Sequence, residues 1–482
     1  MTTGWGEITA QEIIGPITGA RVSGKPDLAL TGLCTDSRKV ESGDIFWALR
    51  GERFDGHDFV RDALGLGAAG AVVEGGWWDS NTSLDDPSPK IKDAFVICVD
   101  DTLKALGDLA GWWRRRHCAK VVAITGSSGK TTTKEMVAGI LKLGNSTLKN
   151  RGNFNNLIGL PLTVLRLKEG HEMVVLEMGM NRPGEISRLT EIADPDVGVI
   201  LNVGQAHLEG LLDVEGVAKA KTELIEKISS GAQVVINGDD DVLMNRASMF
   251  HREKITFGLR GKNDVRATNI RDLGGEGIRF DLRYQDRFLP INLGVPGLHN
   301  LKNALAAGAV ALCLNASFED IVKGLEGFQG LGGRFRVNAL GGGVTLVDDT
   351  YNANPSSLGV ALDALRSLRC DSGRLIVALG EMMELGEATV TAHREAGRRV
   401  AGAGSHYFVA MGEHAREMKG GAVNAGMPKE RVGIVETHDE MVKKLEDEMR
   451  EGDLILIKGS RKMELEKVVE GLRFASYKTN IE

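Results

Sequence analysis

The chain has little of what would tie it to a membrane, a disulfide scaffold or a nucleic acid. No apolar run approaches the roughly 18 residues that a spanning helix needs. The opening Met1-Thr-Thr-Gly-Trp-Gly-Glu7 lacks the basic-then-apolar order of a secretory signal, so a cytoplasmic protein without membrane insertion is expected. The five cysteines (Cys34, Cys98, Cys118, Cys313, Cys370) are scattered and never form C-x-x-C, which argues against a disulfide framework or zinc site and fits a reducing compartment. Positive charge is not in excess: the net charge is −7, which gives no general attraction to nucleic acid or anionic lipid. Its basic run, Arg114-Arg115-Arg116, reads as the solvated end of a helix. Short-period repeats and low-complexity tails are also missing.

What is present is a globular composition, 42% hydrophobic and 26% charged. At 482 residues the chain exceeds one ordinary core and suggests about three domains. Residues 1–117 read as a small α/β unit, with a strand over 44–50, a short helix over 59–67, a strand over 68–74, an exposed polar loop over 75–92 (Pro87, Pro89) and a helix over 102–116. Residues 118–335 alternate apolar strands (121–125, 173–178, 197–203, 232–237) with helical stretches, the rhythm of a mainly parallel sheet covered on both faces. A strand-rich patch over 254–293 and a long alanine-rich helix from Leu298 follow. Gly330-Leu-Gly-Gly-Arg334 reads as a hinge. Residues 336–482 then repeat the α/β pattern (344–348, 375–379, 406–411, 453–457) as a dinucleotide-fold-like third domain. The expected fold class is therefore α/β in three domains.

The most informative stretch is Val121-Val-Ala-Ile-Thr-Gly-Ser-Ser-Gly-Lys-Thr-Thr-Thr-Lys134: an apolar strand, a small-residue turn and a helix from about Thr131 to Leu143. Gly126 and Gly129 let a phosphate approach the backbone, and free amides at the helix start point toward it. Lys130 places a cation against the outer phosphates, and the Thr131 hydroxyl suits Mg2+. Because Ile124 stands where the longer G-x-x-x-x-G-K-T motif has glycine, the form here is G-x-x-G-K-T. The pattern indicates a nucleoside triphosphate site. Glu177 ends an apolar strand, where a carboxylate suits a hard cation beside a nucleotide. His207 follows another strand in a loop, and Lys219 and Lys221 ride a helix over 217–225, where lysines ordinarily form a solvated face.

Further stretches carry a family resemblance: Thr35-Asp-Ser-Arg-Lys-Val40, Gly51-Glu-Arg-Phe-Asp-Gly-His-Asp-Phe59, Asn153-Phe-Asn-Asn-Leu-Ile-Gly-Leu-Pro-Leu-Thr163, Gly297-Leu-His-Asn-Leu-Lys-Asn-Ala304, Asp348-Asp-Thr-Tyr-Asn-Ala-Asn-Pro355, Leu379-Gly-Glu-Met-Met-Glu-Leu-Gly386 and Lys458-Gly-Ser-Arg461. With the phosphate loop they resemble the Mur ligase superfamily over nearly the whole chain. The D-D-x-Y-N-A-N-P and N-x-N-N-x-I-G-x-P-L runs are the most specific, since sister ligases differ there. The resemblance implies an ATP-dependent carboxylate–amine ligase that joins D-alanyl-D-alanine (D-Ala-D-Ala) to UDP-MurNAc-tripeptide. An N-terminal domain would hold the uridine nucleotide, a central domain ATP, and a third domain would close over both.

Residue by residue, the resemblance implies an ATP site of Gly126, Ser127, Ser128, Gly129, Lys130, Thr131 and Thr132. Asn300 and Asn303 fall on the adenine side, and Arg334 and Asp349 contact the nucleotide from the hinge and third domain. Thr131, Glu177, His207 and Lys221 would serve two Mg2+ ions, with Lys221 carbamylated by CO2; Lys130, Lys221, His207 and Glu177 form the catalytic set. Ser37, Arg38, Asn153, Asn155, Asn156, Tyr351, Asn352 and Asn354 would bind the substrates. A monomer without nucleic-acid partners is expected. Glu381 replaces the family's usual Asp, and Gly332-Gly333 stand where proline often precedes the hinge. Competing readings are a sister ligase adding a single amino acid, or glutamate to folate, and a nucleotide switch. The diaminopimelate-adding sister would typically show D-N-P-R in the third domain and the switch N-K-x-D; neither occurs.

Overall fold

The computed structural model describes residues 5, 8–25, 27–51, 53–81, 94–206, 208–369 and 373–479. His207 and most of the expected 75–92 loop lie outside these residues. Three sheets account for most of the architecture. The first orders its strands Arg21–Ser23, Phe95–Val99, Gly70–Glu74, Asp44–Trp47 and Gly32–Cys34, all neighbours parallel except the first pair. Residues 75–80 correct the loop expectation: Gly75–Ser80 is a helix, because Trp77 and Trp78 pack on the apolar cluster around Val73 and Leu64. Tertiary burial of two tryptophans outweighs the local Gly-Gly signal.

The helix Thr102–Arg115 joins this unit to the central one. Trp113 donates its indole N–H to the Leu167 carbonyl at 3.1 Å, and Trp5 donates to Leu165 at 3.0 Å. Arg114, expected in solvent, is 7% exposed. Its guanidinium donates to the carbonyls of Ala193, Asp194 and His117, satisfying acceptors where the helix Glu185–Ala193 ends, and it also meets the Asp196 carboxylate. Only the other two arginines of the run match the expectation of a wet helix end.

The central sheet has nine strands, ordered Arg287–Leu293, Ile278–Tyr284, Val265–Asp272, Ile255–Gly258, Gln233–Asn237, Val197–Ile200, Lys120–Thr125, Met173–Glu177 and Thr147–Lys149. The strand-rich patch thus extends the same sheet, first in parallel through Ile255–Gly258 and Val265–Asp272 and then antiparallel through the last two strands. Lys120–Thr125 lies between Val197–Ile200 and Met173–Glu177, with Ile124 level with Glu177 and Thr125 level with Ile200. That register brings the phosphate loop, Glu177 and the 201–206 loop to one carboxyl edge, where open α/β sheets hold ligands. Behind the sheet, Leu298–Cys313 is buried almost all round, which explains its run of alanines.

The third sheet orders Arg336–Ala339, Thr345–Asp349, Leu454–Lys458, Leu375–Leu379, Tyr407–Met411 and Val432–Val435, with only the first strand antiparallel. The strand last in sequence therefore lies inside the sheet, between two strands made earlier. Among the described residues no helix is long and apolar enough to cross a membrane.

Candidate nucleotide and ligation site

The helix Lys130–Leu141 starts at Gly129, which adopts φ +80° and caps the helix without a side-chain hydrogen bond. The first amides are left to an incoming anion. A Cβ at Gly129 would stand 2.3 Å from Asn303 Oδ1, so glycine is required both by conformation and by contact. The loop is shaped by its neighbours. Ser128 N–H donates to Asn202 Oδ1 at 2.9 Å, Asn202 Nδ2 donates back to the Ser128 carbonyl at 3.1 Å, and Ser127 Oγ accepts from Gly204 N–H at 2.9 Å. Lys130 Nζ folds over the turn onto the Gly126 carbonyl at 2.8 Å. Burial holds its ammonium below the ordinary lysine value; Glu177 and Glu384 oppose that shift and Arg334 reinforces it.

Thr131 Oγ1 donates to Glu177 Oε2 at 2.6 Å, while Asn155 Nδ2 donates to Oε1 at 2.9 Å. Asn150 clamps the Glu177 backbone from both sides, accepting its N–H and donating to its carbonyl, each at 3.0 Å. Lys134, one helical turn beyond Lys130 and fully buried, donates to the Asn150 carbonyl at 2.9 Å and lies 4.0 Å from Glu177 Oε2. The Thr131 hydroxyl and the Glu177 carboxylate are thus adjacent hard oxygens, a donor set suited to Mg2+.

Lys219 and Lys221 part company on the helix Val214–Lys227: the first is exposed and the second is 1% exposed. Burial first and the neighbouring Lys130 second hold Lys221 well below the ordinary lysine value. That shift favours the neutral amine, the nucleophilic form that adds to CO2.

A cavity of about 230 Å³ lies beside the phosphate loop, lined by Thr132, Pro296, Asn300, Phe328, Arg334 and Phe335 among others. Asn300 donates to the Pro296 carbonyl at 2.8 Å and so shapes this wall. Asn303 instead reaches the phosphate turn. The 330–334 segment is a closed turn, bridged between Leu331 and Arg334 and tied to the third domain through Gly333 N–H to Asp348 Oδ2 at 3.0 Å. Arg334 lies over the Tyr351 ring at 4.0 Å. Asp349 accepts from Phe335 N–H at 3.1 Å and from the buried Lys458 at 2.6 Å. Burial nevertheless raises its carboxyl, against the pull of Lys458.

The remaining expected residues spread more widely. Asn156 Oδ1 accepts from the Ile158 N–H at 3.2 Å and the Gly159 N–H at 2.8 Å in the turn that enters the helix Gly159–Val164, and Asn153 is exposed. Asn354 caps the helix Pro355–Ala364, exchanging bonds with Ser357, while Asn352 Oδ1 accepts from Ala353 N–H. Ser37 and Arg38 sit in a turn capped by Asp36, far along the chain in the first domain; the Arg38 side chain holds the Asp36 carboxyl down to about 2. Glu381 Oε1 is 3.5 Å from His414 Nε2.

Sequence reasoning did not select Lys134, Asn150, Asn202, Glu384 or Lys458. Lys134 was legible as the i+4 partner of Lys130 on one helix face. The others act through loop and strand-end contacts that have no period. Across the site, Gln205 N–H donates to Ser356 Oγ at 2.9 Å and Glu209 N–H to the Glu384 carbonyl at 3.3 Å, so the third domain touches the rim of the phosphate site.

Comparison with known proteins agrees with this layout. Residues 29–114 match the model described as Mur ligase family, catalytic domain; residues 124–311 match the Mur ligase middle domain; residues 333–461 match the Mur ligase, glutamate ligase domain. The UDP-N-acetylmuramoyl-tripeptide–D-alanyl-D-alanine ligase of Bacillus subtilis is 36% identical over 92% of this chain and 93% of its own length. A crystal structure of MurF from Acinetobacter baumannii superposes with a TM-score of 0.86 at 33% identity, covering 98% of this chain and 100% of that one. The MurF ligase of Thermotoga maritima in complex with ADP gives 0.80 at 30% identity over 93% and 98%. The chain belongs to the Mur ligase family.

Proposed function

We infer that the chain joins D-alanyl-D-alanine to UDP-MurNAc-tripeptide at the expense of ATP, the last cytoplasmic step toward the UDP-MurNAc-pentapeptide precursor of peptidoglycan. The observation that carries this is the joint presentation, at an uncapped helix start, of Lys130 and the Thr131–Glu177 oxygen pair, within a rim touched by the third domain. The division of labour follows as 1–117 for the UDP-linked substrate, 118–335 for ATP and 336–482 for closure and the dipeptide, in a cytoplasmic monomer.

A carboxylate does not accept an amine at neutral pH because its oxygen is a poor leaving group. The terminal carboxylate of the tripeptide therefore attacks the γ-phosphorus of ATP, forming an acyl phosphate and releasing ADP. The amine of D-alanyl-D-alanine then attacks the activated carbonyl; the amide forms, inorganic phosphate leaves and the amine loses a proton. Lys130 and the free amides after Gly129 stabilise charge on the transferring phosphoryl group. Asn300 and Thr132 shape the base-side cavity, Asn303 holds the turn, and Arg334 and Asp349 bring the third domain to the nucleotide. Asn153, Asn155, Asn156, Tyr351, Asn352 and Asn354 order the loops between which the two peptides meet. The acyl phosphate is unstable in water, which domain closure excludes.

Thr131, Glu177 and a carbamate on Lys221 would hold Mg2+, with His207 alongside; bound there, Mg2+ supplies charge neutralisation to the phosphates. Burial of the Lys221 amine favours its neutral form, the one CO2 accepts, which fits carbamylation.

The assay is phosphate release from ATP with UDP-MurNAc-tripeptide, with and without D-alanyl-D-alanine. Release dependent on both, with a pentapeptide product, is expected. Release with UDP-MurNAc-dipeptide and a single amino acid, but not with the dipeptide amine, would move the chain to a sister ligase.

A further inference from the structure

Lys134 is a cation that the phosphate chemistry does not use. It follows Lys130 by four residues on the helix Lys130–Leu141, about 6 Å further along the axis. It is 1% exposed. Lys130 turns back over the phosphate loop to the Gly126 carbonyl, whereas Lys134 donates to the Asn150 carbonyl and lies 4.0 Å from Glu177 Oε2. A buried ammonium is costly unless it is paired, so its partners account for its presence.

The Glu177 carboxylate, equally buried, accepts its hydrogen bonds from neutral groups, the Thr131 hydroxyl and the Asn155 amide. Its charge is met by Lys134. Lys134 also lies 3.4 Å from Glu135 Oε1, and Glu135 turns its other oxygen to Lys149. Two lysines and two glutamates thus close on one another without excess charge. Lys130 adds a further positive charge on the phosphate side, where it interacts with Glu177. Removal of Lys134 would leave the quartet one negative charge in excess, centred beside the Thr131–Glu177 oxygens.

A dication that approaches those oxygens in the nucleotide-free protein meets a carboxylate already balanced. A nucleoside polyphosphate held by Lys130 brings the negative charge that the protein withholds.

We propose that Lys134 is a positioning cation: by neutralising Glu177 it withholds the metal site until nucleotide is bound, so that Mg2+ enters and leaves with the phosphates. This rests on the reading that Glu177 is a metal ligand. Mn2+ serves as the probe for Mg2+, and the electron paramagnetic resonance of the free ion reports binding without any turnover. Bicarbonate-free buffer keeps a carbamate on Lys221 from adding charge. In the wild type, Mn2+ is expected to bind weakly alone and far more tightly with ADP; equal affinity in the two states overturns the proposal without any variant. Lys134→Gln removes the charge and retains an amide donor for the Asn150 carbonyl. Without nucleotide it is expected to bind Mn2+ about tenfold or more tightly than the wild type. Lys134→Arg is expected to match the wild type. Adding Glu177→Gln to Lys134→Gln should abolish the gain. ADP should tighten Mn2+ binding less in Lys134→Gln than in the wild type, since the two sites are coupled through this charge. A Lys134→Gln affinity no higher than that of the wild type, or a gain that survives Glu177→Gln, overturns the proposal. If instead Glu177→Gln alone leaves Mn2+ binding to the ADP complex unchanged, the reading of Glu177 as a ligand fails, and the proposal with it.

Discussion

The side-chain oxygen of Asn303 occupies the space into which a side chain on Gly129 would grow, only 2.3 Å from the ideal Cβ position. The start of one helix thereby polices the start of another, and the phosphate turn is defined by a residue more than 170 positions away in the chain.

This relationship predicts a separable effect. Gly129→Ala meets both a left-handed backbone, worth about 1 kcal/mol against any L side chain, and the Asn303 contact. The KM for ATP is expected to rise on the order of a hundredfold, which about 2.8 kcal/mol would produce. Adding Asn303→Ala should relieve the contact and leave the conformational part, so the double variant should bind ATP better than Gly129→Ala alone. A double variant no better than the single would show that the contact is unimportant.

Glu177→Gln preserves the shape of the side chain but removes its charge. Turnover in the phosphate-release assay is expected to fall on the order of a hundredfold or more. Since Glu177 opposes the burial shift on Lys130, its loss should lower the lysine further. The alkaline limb of the rate–pH profile should therefore move to lower pH, a displacement that a purely structural role for Glu177 would not produce.

Lys221→Met replaces a buried amine with an apolar chain of similar length. Burying an ionisable group without compensation is unfavourable, so thermal stability should stay level or increase. Activity should drop by more than about a hundredfold, the loss of a charged ligand being worth several kcal/mol. Retained activity would remove Lys221 from the catalytic set. In the wild type, 13C-labelled bicarbonate should yield a carbamate carbon resonance that Lys221→Met lacks.

His299 provides a test by pH. Its ring is T-stacked on Phe335 at 5.0 Å, and burial first, then Lys458, lowers it from 6.5 to about 4. Between these values the unfolded chain binds the proton and the folded chain does not, so folding is favoured as pH rises through that window. The His299 contribution is fully present above pH 6.5 and lost progressively down to about 4. A melting series should show a shallower acid loss in His299→Phe than in the wild type; parallel curves would contradict the assignment.

The sequence carried the fold at the level of its sheets because buried parallel strands read as apolar runs: Lys120–Thr125, Met173–Glu177 and Leu375–Leu379 fell within about a residue of expectation. It also exposed the phosphate turn, where glycine, lysine and threonine have fixed positions. Arg114 was misread because nothing in three successive arginines reveals that one faces the carbonyl end of another helix. Lys221 was equally hidden: its burial depends on which face of the Val214–Lys227 helix turns inward, and Lys219 beside it turns outward. Asn354, selected as a substrate residue, is engaged as a helix cap, and Asn156 orders the turn before the next helix, uses that asparagine also permits.

The interior position of Leu454–Lys458 has a consequence for biosynthesis. The pair Lys458–Asp349 spans 109 residues of chain, and that strand inserts between two others already made. A nascent polypeptide can complete its first two sheets on the ribosome while the third still lacks an interior member. The clamp beside the hinge then forms only once Lys458 has been made. Fragments cut short by premature termination before that strand would lack this clamp, and with it the means to commit ATP to a half-built enzyme.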